Sequence, residues 1–117
     1  MAFYKWEDLQ SELITPKYST SFGPTIHGEK VEIGLLTFPA NTEAKPHAHP
    51  NEQFMIVLKG RAKWIVGDEE KLLGPGEVVY NPPNVEHAIE VLGEDLQVIN
   101  VKDIVKGWSV KHAKWEE

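Results

Sequence analysis

The sequence predicts an all-β domain, an antiparallel sandwich or barrel, from three observations. Turn-forming residues recur at short, fairly even intervals, short runs rich in β-branched and aromatic residues lie between them, and no strong helical pattern interrupts the series. With 117 residues the chain is expected to form one domain, large enough to bury a real core.

KWEDLQSEL (5–13) is compatible with one short helix near the N-terminus. Residues 1–30 as a whole have no assignable place in the barrel pattern and are expected to form an N-terminal segment with a strand that contacts a second subunit. VEIGLLTF (31–38) runs into the turn Pro39-Ala40-Asn41, and QFMIVL (53–58) lies between His49-Pro50-Asn51 and Lys59-Gly60. AKWIV (62–66) ends at Gly67-Asp68, and its alternation places Trp64 with Ala62 and Val66 in the core. EVVY (77–80) is enclosed by Gly74-Pro75-Gly76 and Asn81-Pro82-Pro83-Asn84. HAIEVL (87–92) precedes Gly93-Glu94-Asp95, and LQVINV (96–101) closes the series. The barrel is therefore expected over 31–104, with 105–117 as a tail packed on it.

Composition removes several classes of function. Cysteine is absent, so disulfides, thiolate metal sites and cysteine nucleophiles are excluded, and any metal must be held by nitrogen and oxygen. Twelve basic residues stand against 18 acidic ones, a net charge of −6, which argues against nucleic acid and anionic membranes as partners. No apolar run approaches the roughly 20 residues that span a bilayer, and MAFYKWEDLQ lacks an export signal, so a cytoplasmic protein is expected.

The chemistry is concentrated in KPHAHPNEQFMIVLKG (45–60). In an extended segment the side chains of His47 and His49 project to the same face, and the neighbouring prolines favour an extended backbone. Gln53 opens the next strand with Met55 and Val57 on its own face, which sets a carboxamide at the mouth of an apolar interior. His87 opens HAIEVL on the face of Ile89 and Val91. Three imidazoles and an amide buried together would leave polar atoms unpaired at about 1–3 kcal/mol each, a cost that a divalent metal removes by accepting their lone pairs. His27 and His112 lie outside this set and are expected on the surface.

These segments resemble the two motifs of the cupin superfamily. They read His47-x-His49-xxx-Gln53 with Gly60 after six intervening residues, then Gly76-EVVYN-Pro82-x-Asn84-xx-His87, with Gln53 at a position usually acidic and Asn84 at one usually glycine. The resemblance implies a jelly-roll β-barrel, a homodimer, and one divalent ion (Ni, Zn, Mn, Fe or Co) on His47, His49, Gln53 and His87. HAHPNEQ is further similar to small single-domain cupins of pectin degradation, which linearise unsaturated uronates. That likeness implies a catalytic role for Asp103 on a late strand, on the face of Ile99 and Val101. The arginine such cupins carry soon after is absent, since Arg61 is the only arginine.

The expected function is a metal-dependent enzyme acting on a small oxygen-chelating substrate, a sugar acid or keto compound, by an isomerase- or lyase-like reaction. Two alternatives stand beside it: a non-haem iron dioxygenase, and a binding module that holds a metabolite unchanged.

Overall fold

The computed structural model describes residues 2–116. Lys5 offers no side-chain cap and Leu9 is extended, so the helical stretch expected over 5–13 shrinks to a single 3-10 turn at Trp6–Asp8. Thirteen strands follow among the described residues: β1 (Glu12–Leu13), β2 (Phe22–Gly23), β3 (Thr25–His27), β4 (Val31–Phe38), β5 (Glu43–His47), β6 (Gln53–Lys59), β7 (Ala62–Val66), β8 (Glu69–Leu73), β9 (Val78–Asn81), β10 (His87–Val91), β11 (Leu96–Asp103), β12 (Trp108–Ser109) and β13 (Lys114–Trp115). Every pairing among them is antiparallel. No helix among the described residues is long and apolar enough to cross a membrane.

The strands form a jelly roll of two facing sheets. A seven-stranded sheet runs β1-β2-β4-β11-β6-β9 with β3 also on β4, a four-stranded sheet runs β5-β10-β7-β8, and β12 and β13 make a separate hairpin. The segment before Val31 does find a place in the chain's own sheet, since Phe22 pairs with Thr37, and Thr25, Ile26 and His27 pair with Gly34, Ile33 and Glu32.

Strand parity sorts the seven-stranded sheet into an apolar end and a polar end. On its inner face Leu36, Val98 and Val57 lie in one cross-strand row, all nearly inaccessible to solvent. Burying each such side chain contributes about 1.5–3 kcal/mol. One row on, Gly34, Asn100, Met55 and Val79 are aligned. The next row is polar throughout, His27–Glu32–Lys102–Gln53–Asn81 across five strands. The opposite sheet adds Trp64, Leu73, Ile89 and Val91 to the core, and Trp64 is buried as its alternation requires.

The outer face of the seven-stranded sheet is apolar as well. Ile26, Ile33, Val101, Phe54 and Tyr80 form one row, and Leu35, Ile99, Ile56 and Val78 the next. Phe54, Val78 and Tyr80 are exposed there.

Gly60 shows why the first motif needs its glycine. Its φ is +82°, and a Cβ would run into the backbone carbonyl of Asp95.

Candidate metal centre

The three motif histidines come together at the polar end of the sandwich. His47 ends β5 and His87 begins β10, where the two are cross-strand partners beside a register shift. His49 lies just beyond β5, in the segment that crosses toward β6. Its carbonyl accepts the Asn84 N–H at 2.8 Å, which ties the second motif's turn to the first. Asn84 has φ +62°, so the residue standing where glycine is usual occupies a left-handed conformation that asparagine tolerates.

One ring nitrogen from each of His47, His49 and His87 falls within a cluster whose members all lie within 4.8 Å of one another. The other ring nitrogens are already used in a repeated pattern. Nδ1 of His47 faces the Lys45 carbonyl at 2.6 Å, Nδ1 of His49 the Asn51 carbonyl at 3.2 Å, and Nδ1 of His87 the Val85 carbonyl at 3.0 Å. A carbonyl only accepts, so each Nδ1 carries the proton and donates. Each Nε2 is left without a proton, the tautomer a metal ligand requires, and the Gln53 side chain lies within hydrogen-bond reach of His49. Tyr18 stacks on His47 with centroids 4.3 Å apart and planes within 11°, which fixes that ring's orientation.

Burial keeps these rings neutral. Desolvation lowers His49 from 6.5 to about 4 and His87 to about 3, and it lowers His47 too. The Lys102 ammonium pushes all three in the same direction. Three neutral imidazoles with convergent lone pairs fit a divalent ion.

Gln53 is buried beside them and held at both ends of its amide. Its Nε2 donates to Asn100 Oδ1 at 2.6 Å, and its Oε1 accepts from Asn81 Nδ2 at 2.8 Å. One lone pair of Oε1 stays free of that bond, so the amide is orientated without being used up.

Asp103 lies elsewhere. Residues 96, 98, 100 and 102 of β11 are the buried ones, so Ile99, Val101 and Asp103 share the outward face. The Asp103 carboxylate accepts the Glu52 backbone N–H at 2.7 Å and does not line the histidine cavity. The charged group on that wall is Lys102, only 6 % exposed, with Nζ 3.7 Å from Glu32. Burial pulls Lys102 below the usual lysine range while Glu32 pulls it back. Asn100 and Lys102 share the buried face of β11 with Leu96 and Val98, and that shared parity is what brings them to the site. His27 is exposed and pairs with Glu32 at 2.9 Å, and His112 is exposed, as expected for both.

The histidines, Gln53, Asn100 and Lys102 enclose a space of about 40 Å³. Lys102, Asn100 and Ile14 also line a larger cavity of about 290 Å³ under the C-terminal hairpin.

Comparison with known proteins agrees with this geometry. An uncharacterized protein of Streptomyces coelicolor is 34 % identical over 71 residues, covering 61 % of this chain and 68 % of that protein. Auxin-binding protein T92 of Nicotiana tabacum is 31 % identical over 97 residues, covering 72 % of this chain but only 52 % of its own length. Among solved structures, an RmlC-like cupin from Shewanella frigidimarina superposes with a TM-score of 0.79 at 20 % identity, covering 91 % of this chain and 93 % of that one. KdgF from a Halomonas species gives 0.76 at 18 % identity, covering 91 % and 96 %. At such identities the structural likeness carries the fold alone. The family model of the cupin domain matches residues 34–102, which take in both histidine motifs and the strands that join their imidazoles, and the chain belongs to the cupin family.

Proposed function

We propose that this cupin holds one divalent metal ion on His47, His49 and His87, with Gln53 as a fourth ligand, and acts on a small metabolite with a chelating pair of oxygens. The observation that carries the reading is the set of three Nδ1–H bonds to backbone carbonyls, which leaves three Nε2 lone pairs aimed at one place. A bound divalent ion supplies Lewis acidity toward a carbonyl or hydroxyl oxygen. The protein's residues supply the rest. Asn81 and Asn100 keep the Gln53 oxygen turned toward the histidines, and Lys102 offers an ammonium to an oxygen that becomes anionic. An isomerase- or lyase-like reaction is the chemistry this set suits.

The test is metal analysis of protein purified without a nickel column, for wild type and His47→Ala/His49→Ala. About one equivalent in the wild type and little in the variant supports the reading, whereas no metal in either after divalent ions are restored sinks it. A second reading, ligand holding without turnover, draws support from the tobacco auxin-binding relative. Recovery of a bound ligand unchanged after long incubation with metal-loaded protein would favour it.

The same proposal takes the protein as a homodimer, supported by the exposed apolar rows on the outer sheet face. Light scattering that returned the 13.2 kDa of a single chain would refute the dimer.

A further inference from the structure

We infer, resting on the metal reading above, that the ligand of the histidine cavity is a small anion, a short-chain carboxylate that matches the charge of the ion and of Lys102. Every donor assigned to the ion is neutral, three imidazoles presenting lone pairs and one amide. No carboxylate joins them. Among the described residues that line the cavity, Lys102 is the sole one with a charged side chain, and that charge is positive. Glu32 stands outside the lining, against Lys102 and His27, and Glu86, whose charge reaches His47, is exposed.

A divalent ion on such donors brings two positive charges to a wall that already carries an ammonium. The surroundings do not solvate it, since Leu36, Phe38, Met55 and Ile89 line the cavity and all are buried. Unmatched charge in such a place is costly. Glu32, 3.7 Å from Lys102 Nζ, offsets the ammonium and leaves the ion's own charge unmatched. The positive charge of Lys102 is felt at all three imidazoles, so it acts on the same space as the ion. The negative charge must come with the ligand.

Size narrows the class further. The space is about 40 Å³, against roughly 300–1,000 Å³ for pockets that enclose a drug-sized ligand. Its lining is buried except at Ile14, Thr15 and His47, which are half-buried and mark the way in. A chelating head fits there with little framework behind it. A short 2-hydroxy or 2-oxo acid meets each limit, because it chelates, is anionic and is small. Ile14 and Thr15 precede residues 34–102, so the N-terminal segment sets the size limit on a site that the cupin domain supplies.

Three ligands test this on zinc-loaded full-length protein: glycolate, its neutral amide glycolamide, and mandelate, which adds a phenyl ring to glycolate. Calorimetric titration is expected to show glycolate binding about thirtyfold tighter than glycolamide or more. Lys102→Met should keep its zinc and cut that ratio about tenfold. Gln53→Glu, which supplies a negative charge from the protein, should also cut it about tenfold while keeping zinc. Mandelate should bind wild type about tenfold more weakly than glycolate, and Ile14→Ala should reduce that gap to about threefold or less. Glycolamide or mandelate binding wild type as tightly as glycolate overturns the inference, as does a glycolate-to-glycolamide ratio that neither charge variant alters. Zinc content, measured first, separates the two failures. A full equivalent of zinc without these preferences defeats the anion alone, and no zinc defeats the metal reading and the anion with it.

Discussion

His47 and His87 face each other across β5 and β10 as direct strand partners, with ring centroids 4.5 Å apart. The pair belongs to one sheet, Gln53 belongs to the other, and His49 stands in the crossing between them. The site is therefore a clasp between two sheets, and its members are expected to fail together.

Replacing His87 by alanine should abolish stoichiometric metal even though His47 and His49 remain, since two imidazoles and an amide make a much weaker site. The chemistry of the donors sets the size of the effect, at about 100-fold or more in affinity. Competition with a chromogenic chelator reads it directly, and full retention of metal would remove His87 from the ligand set.

Acid should begin to destabilise the metal-free protein well above the range where carboxylates titrate. An unfolded histidine ionises near 6.5, whereas folded His49 and His87 do so at about 4 and about 3, and His47 is also lowered. Between those values the unfolded chain binds protons that the folded chain refuses, so stability is complete above pH 6.5 and falls as pH drops toward 4 and then 3. Urea melts across that window should show the loss, and His87→Gln should flatten it. A curve flat from pH 7 to about 4 would contradict the burial of these rings.

Gln53→Glu should separate metal affinity from fold stability. A carboxylate adds charge to the ligand set and should tighten metal binding by about tenfold. It also places an oxygen where Nε2 now donates to Asn100 Oδ1 at 2.6 Å, costing the metal-free protein about 1–3 kcal/mol. Thermal melts with and without metal should therefore move in opposite directions. Unchanged metal affinity would argue against ligation through position 53.

Asp103→Asn should leave metal content untouched, because the carboxylate serves the Glu52 backbone N–H on the outward face. A loss of about 0.5–1.5 kcal/mol in stability is expected from the weakened bond. Loss of metal in this variant would place Asp103 back in the site.

Gly60→Ala should cost about 3 kcal/mol or more, combining a left-handed φ with a Cβ driven into the Asp95 carbonyl. Denaturant melts decide it. A change under about 0.5 kcal/mol would mean the turn readily adopts another conformation.

Six of the eight strands from Val31 to Asp103 were legible because their apolar beat and turn residues are local signals, whereas β8, EEKLL, is charged and exposed along most of its length and gave no such beat. The three histidines were legible because their spacing matches strand parity. Asp103 was assigned to the wrong side because LQVINVKD divides its four apolar residues equally between its two faces, Ile99 and Val101 on one and Leu96 and Val98 on the other. Only pairing with β4 and β6 decides which set faces in. Asn81 and Tyr18 were missed for a related reason. Their places beside Gln53 and His47 come from cross-strand register and from the path of the N-terminal segment, which short-range pattern does not encode.

The alternation of β11 joins two outcomes that might have been separate. Its even-numbered residues carry both the floor of the core, Leu96 and Val98, and the polar wall of the site, Asn100 and Lys102. A slip of one residue against either neighbour would expel all four at once and draw Ile99 and Val101 in. The chain therefore has no route to a well-packed barrel that leaves the centre unbuilt, and release of a bound ion on denaturation should trace the same curve as loss of the sheet itself.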